Sequence, residues 1–321
     1  MRTLVSISLF ILTCCSAFAQ YEPEAGQPGS HAIHYTHVKI DRWAEFHSLN
    51  RGWVDIRDTT LGVTSIGDSA SIKGIADNQV LSLGDGGWAV VYFPTPIEDQ
   101  DGFDFAVYEN SFSHDFLELA FVEVSSDGIN FFRFPASSQT QTQYQVGTFG
   151  LLQATQINNL AGKYKGMYGV PFDLSVLPDT SLLNKDSVHY VRIVDVVGSI
   201  NPAFGSRDHS GRIINDPFPT DFPSGGFDLD AVAALNAGYT NLEDLLNPSV
   251  IVYPNPVERG QELKISGVEA EMSFVLYDLT GRVISQISDK SFSVPQSISE
   301  GSYLLSVEYN GSLYSEIIMV R

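Results

Sequence analysis

The chain is expected to be all-β, a jelly-roll-like β-sandwich followed by a small C-terminal β-sandwich. Short runs rich in β-branched and aromatic residues recur between turns rich in Gly, Pro and Asp. The run LELAFVEV (117–124) carries apolar groups on both faces, as a strand covered on both sides does, and two packed antiparallel sheets supply that cover. No period of 20–50 residues marks a solenoid or a propeller.

The elements follow in order. Residues 1–19 have a basic start at Arg2, an apolar stretch and small residues at Ala17-Phe18-Ala19, the layout of a secretory signal peptide. Both cysteines, Cys14 and Cys15, fall inside it, and Thr13 is a poor neighbour for an acylated cysteine, so a cleaved leader is preferred to a lipoprotein anchor. No thiol or disulfide chemistry is then expected in the mature chain. Residues 20–240 form the main body. Its first segment, VKIDRWAEFHSL (38–49), reads as a short helix because Trp43, Phe46 and Leu49 recur at helical spacing. VLSLGDGGWAVVYF (80–93) is a strand, a glycine-rich turn and a strand; FDFAVYEN (103–110), LELAFVEVSS (117–126) and HYVRIVDVVGS (189–199) are further strands. Asp127-Gly128 reads as a two-residue hairpin turn. The long stretch 198–226 lacks periodicity, but Phe204, Phe218 and Phe222 argue for an ordered loop. A polar connection spans 241–249, and short alternating segments fill 250–321.

A net charge of −20, from 18 Lys and Arg against 38 Asp and Glu, argues against nucleic acid as a partner and is compatible with bound cations. Beyond the leader no apolar stretch approaches membrane length.

The segment 250–321 resembles the type A C-terminal sorting domain of the type IX secretion system. The match rests on Tyr253-Pro254-Asn255-Pro256, Tyr277-Asp278-Leu279-Thr280-Gly281-Arg282, Gly301-Ser302-Tyr303-Leu304-Leu305 and the closing strand. Thr280-Gly281 is turn chemistry between alternating strands, in agreement with a small sandwich. The resemblance implies export across the outer membrane by the type IX machinery, release or attachment at the surface, and no chemistry in this segment itself. The series SLGDGG, YENSF, VEVSSDG, NNLAGKY, VDVVGS and GGFDLDAV resembles a family of secreted bacterial cell-surface proteins, and its closing strand resembles that of galactose-binding-like jelly rolls. That second likeness implies a structural calcium ion against the last strand and a glycan as ligand. Surface proteins of this kind also accompany TonB-dependent uptake, which implies corrinoid capture as the alternative.

The candidate metal ligands are Asp228 and Asp230 with Glu109, Asn110 and Asp104. Asp228 and Asp230 lie one residue apart, on one face of a regular strand, and Gly225-Gly226 let carbonyl oxygens approach. Calcium takes six to eight such oxygens. A solvated edge strand would explain the same pair, and Val232 on that face argues against it. Asp85 reads as turn chemistry, and Asp99, Asp101 and Asp104 resemble a calcium loop that lacks its closing glutamate. His31, His34 and His37 are a weaker transition-metal set.

Catalytic motifs are absent. Asp208-His209-Ser210 are adjacent, whereas a triad is assembled in space. Glu109, Glu118 and Glu123 could serve a glycoside hydrolase only at a defined separation. Trp88, Tyr144, Tyr164, Tyr168 and the loop phenylalanines are candidate ligand-stacking residues. The function expected is a calcium-stabilised surface protein that binds a glycan or other small ligand, against a hydrolase or a structural adhesin.

Overall fold

The computed structural model describes residues 21–235, 251–266, 274–278, 281–287, 291–309 and 312–321. The expected leader (1–19) and connection (241–249) lie outside the described residues.

In chain order the strands of the main body are β1 (Ile33–His34), β2 (Ile40–Trp43), β3 (Glu45–Asn50), β4 (Leu81–Ser82), β5 (Trp88–Ile97), β6 (Phe105–Glu109) and β7 (Ala120–Ser125). They continue as β8 (Phe132–Arg133), β9 (Ser137–Ser138), β10 (Ile157–Asn158), β11 (Tyr168–Phe172), β12 (Val188–Asp195) and β13 (Asp228–Leu235). One sheet has the order β1-β11-β6-β13-β2, with β4 also paired to β13; the other runs β3-β5-β12-β7-β8. Alternation decides the layers. Phe105 and Val107 of β6 join Val122, Val124, Val191 and Ile193 in a core between the sheets, while Ala106 and Tyr108 face an outer cluster with Ile33, Ala231 and Ala233. Phe105, Phe134 and Phe172 meet in the core between the sheets with ring centroids 4.9–5.8 Å apart, each burial contributing about 2–3 kcal/mol. Strand β7 is buried at every residue, and a third cluster, Leu117, Leu119, Phe121 and Ile214, covers its far side. The two-faced pattern of LELAFVEV is thereby explained.

Two local expectations are corrected. Residues 38–49 are not a helix but two strands that meet at buried Ala44. β2 pairs with β13 in one sheet and β3 with β5 in the other, so the chain turns a corner between sheets. One pairing partner for each strand, β13 in one sheet and β5 in the other, outweighs the chance helical spacing of the three apolar residues. The hairpin at Asp127-Gly128 is longer than two residues, since Val124 pairs with Phe132. Asp127 accepts the N–H groups of Ile129 and Asn130, each at 2.8 Å, and these bonds hold its carboxyl well below the usual range.

Strand β13 is an interior strand, not a solvated edge, and all eight residues are buried. Its register against β6 shifts between Leu229, opposite Glu109, and Ala231, opposite Tyr108. Asp230 is the extra residue of this bulge. Leu229 and Val232 therefore both reach the inter-sheet core although three positions apart.

In the C-terminal segment, β14 (Ile251–Tyr253), β15 (Glu262–Ser266) and β18 (Ser291–Ser293) make one sheet. β16 (Phe274–Asp278), β17 (Val283–Ile287), β19 (Gly301–Tyr309) and β20 (Ser312–Val320) make another. Val257, Leu263, Phe274, Leu276, Tyr303 and Ile318 form their own core, so the expected small sandwich is present. Thr280 lies outside the described residues; Gly281, at φ +83°, donates to the Asp278 carbonyl at 3.0 Å.

Candidate functional site at the strand ends

Glu109 ends β6 and Asp228 begins β13, so the register places both at one end of the same sheet. Three loops converge there, and a cavity of about 330 Å³ opens between them. Glu109, Asn110, Glu118 and Asp228 line it with Ser111, Thr148, Thr220 and Ser224. Phe112, Phe116, Phe149 and Phe222 complete the wall. Their rings follow one another, Phe112 stacked on Phe116 at 4.5 Å, Phe116 to Phe149 at 6.3 Å, and Phe149 to Phe222 at 6.0 Å. Phe112 is 77 % exposed, Phe149 70 % and Phe222 41 %, so three rings stand at the mouth instead of in the core.

The carboxylates are held in unequal ways. Glu109 is buried and accepts the Ser111 N–H at 2.8 Å. Asp228 accepts from the Ser82 hydroxyl at 2.5 Å. Glu118 has neither a hydrogen bond nor an ion pair among the described residues. Burial, with the charges of Asp228 and Asp230, pushes Glu109 well up; burial, with Glu109, Asp228, Asp216 and Asp195, does the same to Glu118. Burial moves Asp228 up to about 6 against the Ser82 bond. No Lys, Arg or His is among the charges that bear most strongly on these three acids.

Behind the cavity, further buried carboxylates act as clips for backbone N–H groups. Asp195 accepts from Gly86 at 3.0 Å and Phe227 at 2.8 Å, tying the GDGG turn, the end of β12 and the GGF turn together. Burial pushes it up to about 8. Gly226, at φ +71°, passes so close that a Cβ would lie 2.7 Å from Asp195 Oδ1 and 2.9 Å from Gly84. Asp216 accepts from Leu119 at 3.0 Å through Oδ2, and its buried Oδ1 has no partner. Asp85 accepts from Ile56 at 2.8 Å, so it anchors the 52–58 segment as well as the turn.

The expected metal set is only partly brought together. Glu109, Asn110 and Asp228 share the cavity. Asp230 instead accepts the N–H groups of Asp77 and Asn78, one on each oxygen at 3.1 Å, and burial moves it up to about 6. Asp104 does not join them. It precedes β6, and five residues at about 3.3 Å each set it about 16 Å from Glu109 along the strand. Asp104 meets Asp99 and Asp173, their carboxylate oxygens within 4.8 Å of one another, the one such acidic group among the described residues. It accepts from Gln100 at 3.0 Å and Leu174 at 2.7 Å, and burial pushes it up to about 7. Lys185 lies 3.9 Å from Asp99. Asp101 of the same loop is not in the group.

Other sequence candidates separate. His31 pairs with Glu22 at 2.7 Å, His34 with Thr36 at 2.8 Å, and His37 accepts from the Lys39 N–H, so the three do not share a centre. Asp208 accepts from Ser210, Arg212 and Ser138 backbone, while His209 Nδ1 donates to the Ala136 carbonyl at 2.7 Å. No triad forms, because the acid orients backbone and not the imidazole. Glu123 is far from this role too: it is clamped by Arg133 and Arg192. Of the aromatics named from sequence only Phe222 lines the cavity. Phe112 and Phe149 were missed; aromatics set in Ser-, Thr- and Gly-rich turns, as in ENSF and GTFG, were the available signal.

Residues 251–321 match the secretion system C-terminal sorting domain. No curated protein matches the chain. Among solved structures it is similar to PorZ, a surface component of the type IX secretion system of Porphyromonas gingivalis, at 20 % identity over 29 % of this chain and 14 % of that one, TM-score 0.21. It is also similar to a β-glucuronidase from Ruminococcus gnavus (13 % identity, 88 % of this chain, 45 % of that one, TM-score 0.22). A Faecalibacterium prausnitzii β-glucuronidase gives 14 % identity, 90 %, 46 % and TM-score 0.20. The chain spans less than half the length of these structures, and at such TM-scores no activity or fold is taken from them. The sorting tail makes this an exported cell-surface protein, and no helix of the described residues is long and apolar enough to cross a membrane.

Proposed function

We infer that this exported protein captures a small ligand at the cell surface, in the cavity between Glu109, Glu118 and Asp228, with a glycan ahead of a corrinoid. The chain then divides into a leader (1–19), a binding module (20–240), a linker (241–249) and the sorting tail (250–321). The observation that carries the reading is the row of phenylalanines, three of them exposed, above the acids that line the cavity. Exposed rings over a polar floor match a sugar, which offers apolar C–H faces to the rings and hydroxyl donors to the carboxylates. Calcium is the inferred stabilising ion, with its place at Asp104, Asp99 and Asp173 below β6, the acidic oxygens that lie within 4.8 Å of one another.

A glycan array probed with the full chain, followed by titration calorimetry of the hits, tests ligand capture. Phe149→Ala should weaken binding about tenfold while leaving the melting temperature within a degree or so, since the ring is 70 % exposed. Binding unchanged by this substitution, or an array silent to neutral and charged glycans alike, removes the glycan reading. Titration with a corrinoid, weakened by the same substitution, would favour uptake instead.

A further inference from the structure

Two acids of the cavity and one behind it bear on the charge of its ligand. Glu118 opens onto it with neither a hydrogen bond nor an ion pair among the described residues. Asp228, 9 % exposed, uses one oxygen on Ser82, and its second has no partner among them. Asp216, 3 % exposed and acting on Glu118, keeps Oδ1 bare. A neutral sugar hydroxyl can satisfy one lone pair of such a group, but only a cation offsets the mutual repulsion and burial that hold these acids toward the protonated form. A small metal ion needs several oxygens drawn within about 2.6 Å of one point, and three acidic oxygens gather so closely at Asp99, Asp104 and Asp173, not here. The mouth, meanwhile, is phenylalanine: rings with no polar handle, whose negative faces attract a cation. A bulky cation whose charge is spread over an organic group fits both the dispersed carboxylates and the rings.

Resting on the reading of the cavity as a glycan site, we propose that its ligand is a positively charged amino sugar, the ammonium seated between Glu118 and Asp228 and the ring against Phe149 and Phe222. Glu118 is the specificity residue, because it alone of the lining acids has no internal partner to lose. Phe112 and Phe116 close the side of the mouth opposite Phe222 along the ring chain.

The test uses the full chain and three oligosaccharides of one length: N-acetylglucosamine, glucosamine, and N-trimethylglucosamine, whose charge is independent of pH. Calorimetry should find both cationic forms bound about tenfold or more tightly than the neutral one, an advantage that shrinks in high salt. Glu118→Gln should remove most of that preference, weakening the two cationic forms far more than the neutral one. Phe149→Ala should weaken all three, with each variant's melting curve showing that the fold is retained. Equal or tighter binding of the neutral form overturns the charge assignment and leaves glycan capture standing. A preference untouched by Glu118→Gln, or silence from all three sugars, also overturns it; a neutral glycan found on the array would then keep the broader reading alive.

Discussion

Raising the pH from about 4 to about 8 in the presence of EDTA should destabilise the sandwich of residues 21–235. Asp85, Asp228 and Asp230 are each pushed up by burial from 3.8 to about 6, Asp104 to about 7 and Asp195 to about 8. An acid with a raised folded-state value binds its proton more tightly when native. Its contribution is complete below the unfolded value and is lost as pH rises through the folded one. The window here runs from about 4 to about 8. For the three aspartates near 6, two units at about 1.4 kcal/mol each give roughly 3 kcal/mol apiece. If water entry and side-chain relaxation absorb about half, the three together cost roughly 4 kcal/mol, a large part of an ordinary stability of about 5–15 kcal/mol. At about 2–4 °C per kcal/mol for a body of this size, the melting temperature should fall by about 10 °C. Circular dichroism melts across the range measure it, and Asp228→Asn should flatten the curve by its share. Added calcium competes with protons for the oxygens of Asp104 and its neighbours Asp99 and Asp173, so it should raise the melting temperature more at pH 8 than at pH 5. A profile that is flat or rises with pH in EDTA would refute the reasoning about burial, and calcium without effect at pH 8, with none in elemental analysis, would refute the inferred ion.

The other predictions concern the frame. Glu123, 5 % exposed, accepts from Arg133 Nε at 2.7 Å and Arg192 Nε at 2.5 Å, and the two guanidiniums lie over Phe121 and Phe131 at 4.1 and 4.0 Å. Glu123→Ala leaves both without their anion and should cost about 2–4 kcal/mol in urea unfolding; a loss below about 0.5 kcal/mol would show that solvent replaces the carboxylate. Gly226→Ala places a methyl 2.7 Å from Asp195 Oδ1 at φ +71° and should cost about 3 kcal/mol or prevent folding. A variant as stable as the parent would mean that the GGF turn yields freely.

Much of the fold was legible because strands leave local signals. LELAFVEV announced a strand covered on both faces, HYVRIVDVV a core strand, and the 198–226 stretch an ordered loop, as buried Phe218 and cavity-lining Phe222 demonstrate. Residues 38–49 misled because the spacing of Trp43, Phe46 and Leu49 suits a helix as well as two strands in different sheets, and only the partners β13 and β5 decide. The carboxylates of GGFDLDAV were visible as unusual, and their burial bears that out. Their division of labour was not visible, because a one-residue bulge changes what Asp230 reaches.

The sequence by itself determined the all-β class, the export tail and the presence of acids in apolar surroundings, since alternation, turn chemistry and short motifs are properties of neighbouring residues. The tertiary structure alone decided which acids meet. Asp104 and Glu109 are five residues apart yet at opposite ends of a strand, whereas Glu109, Glu118, Phe149, Phe222 and Asp228 come from distant segments to one cavity. Sheet register and loop closure set those distances, and both depend on pairing between segments that no local pattern specifies.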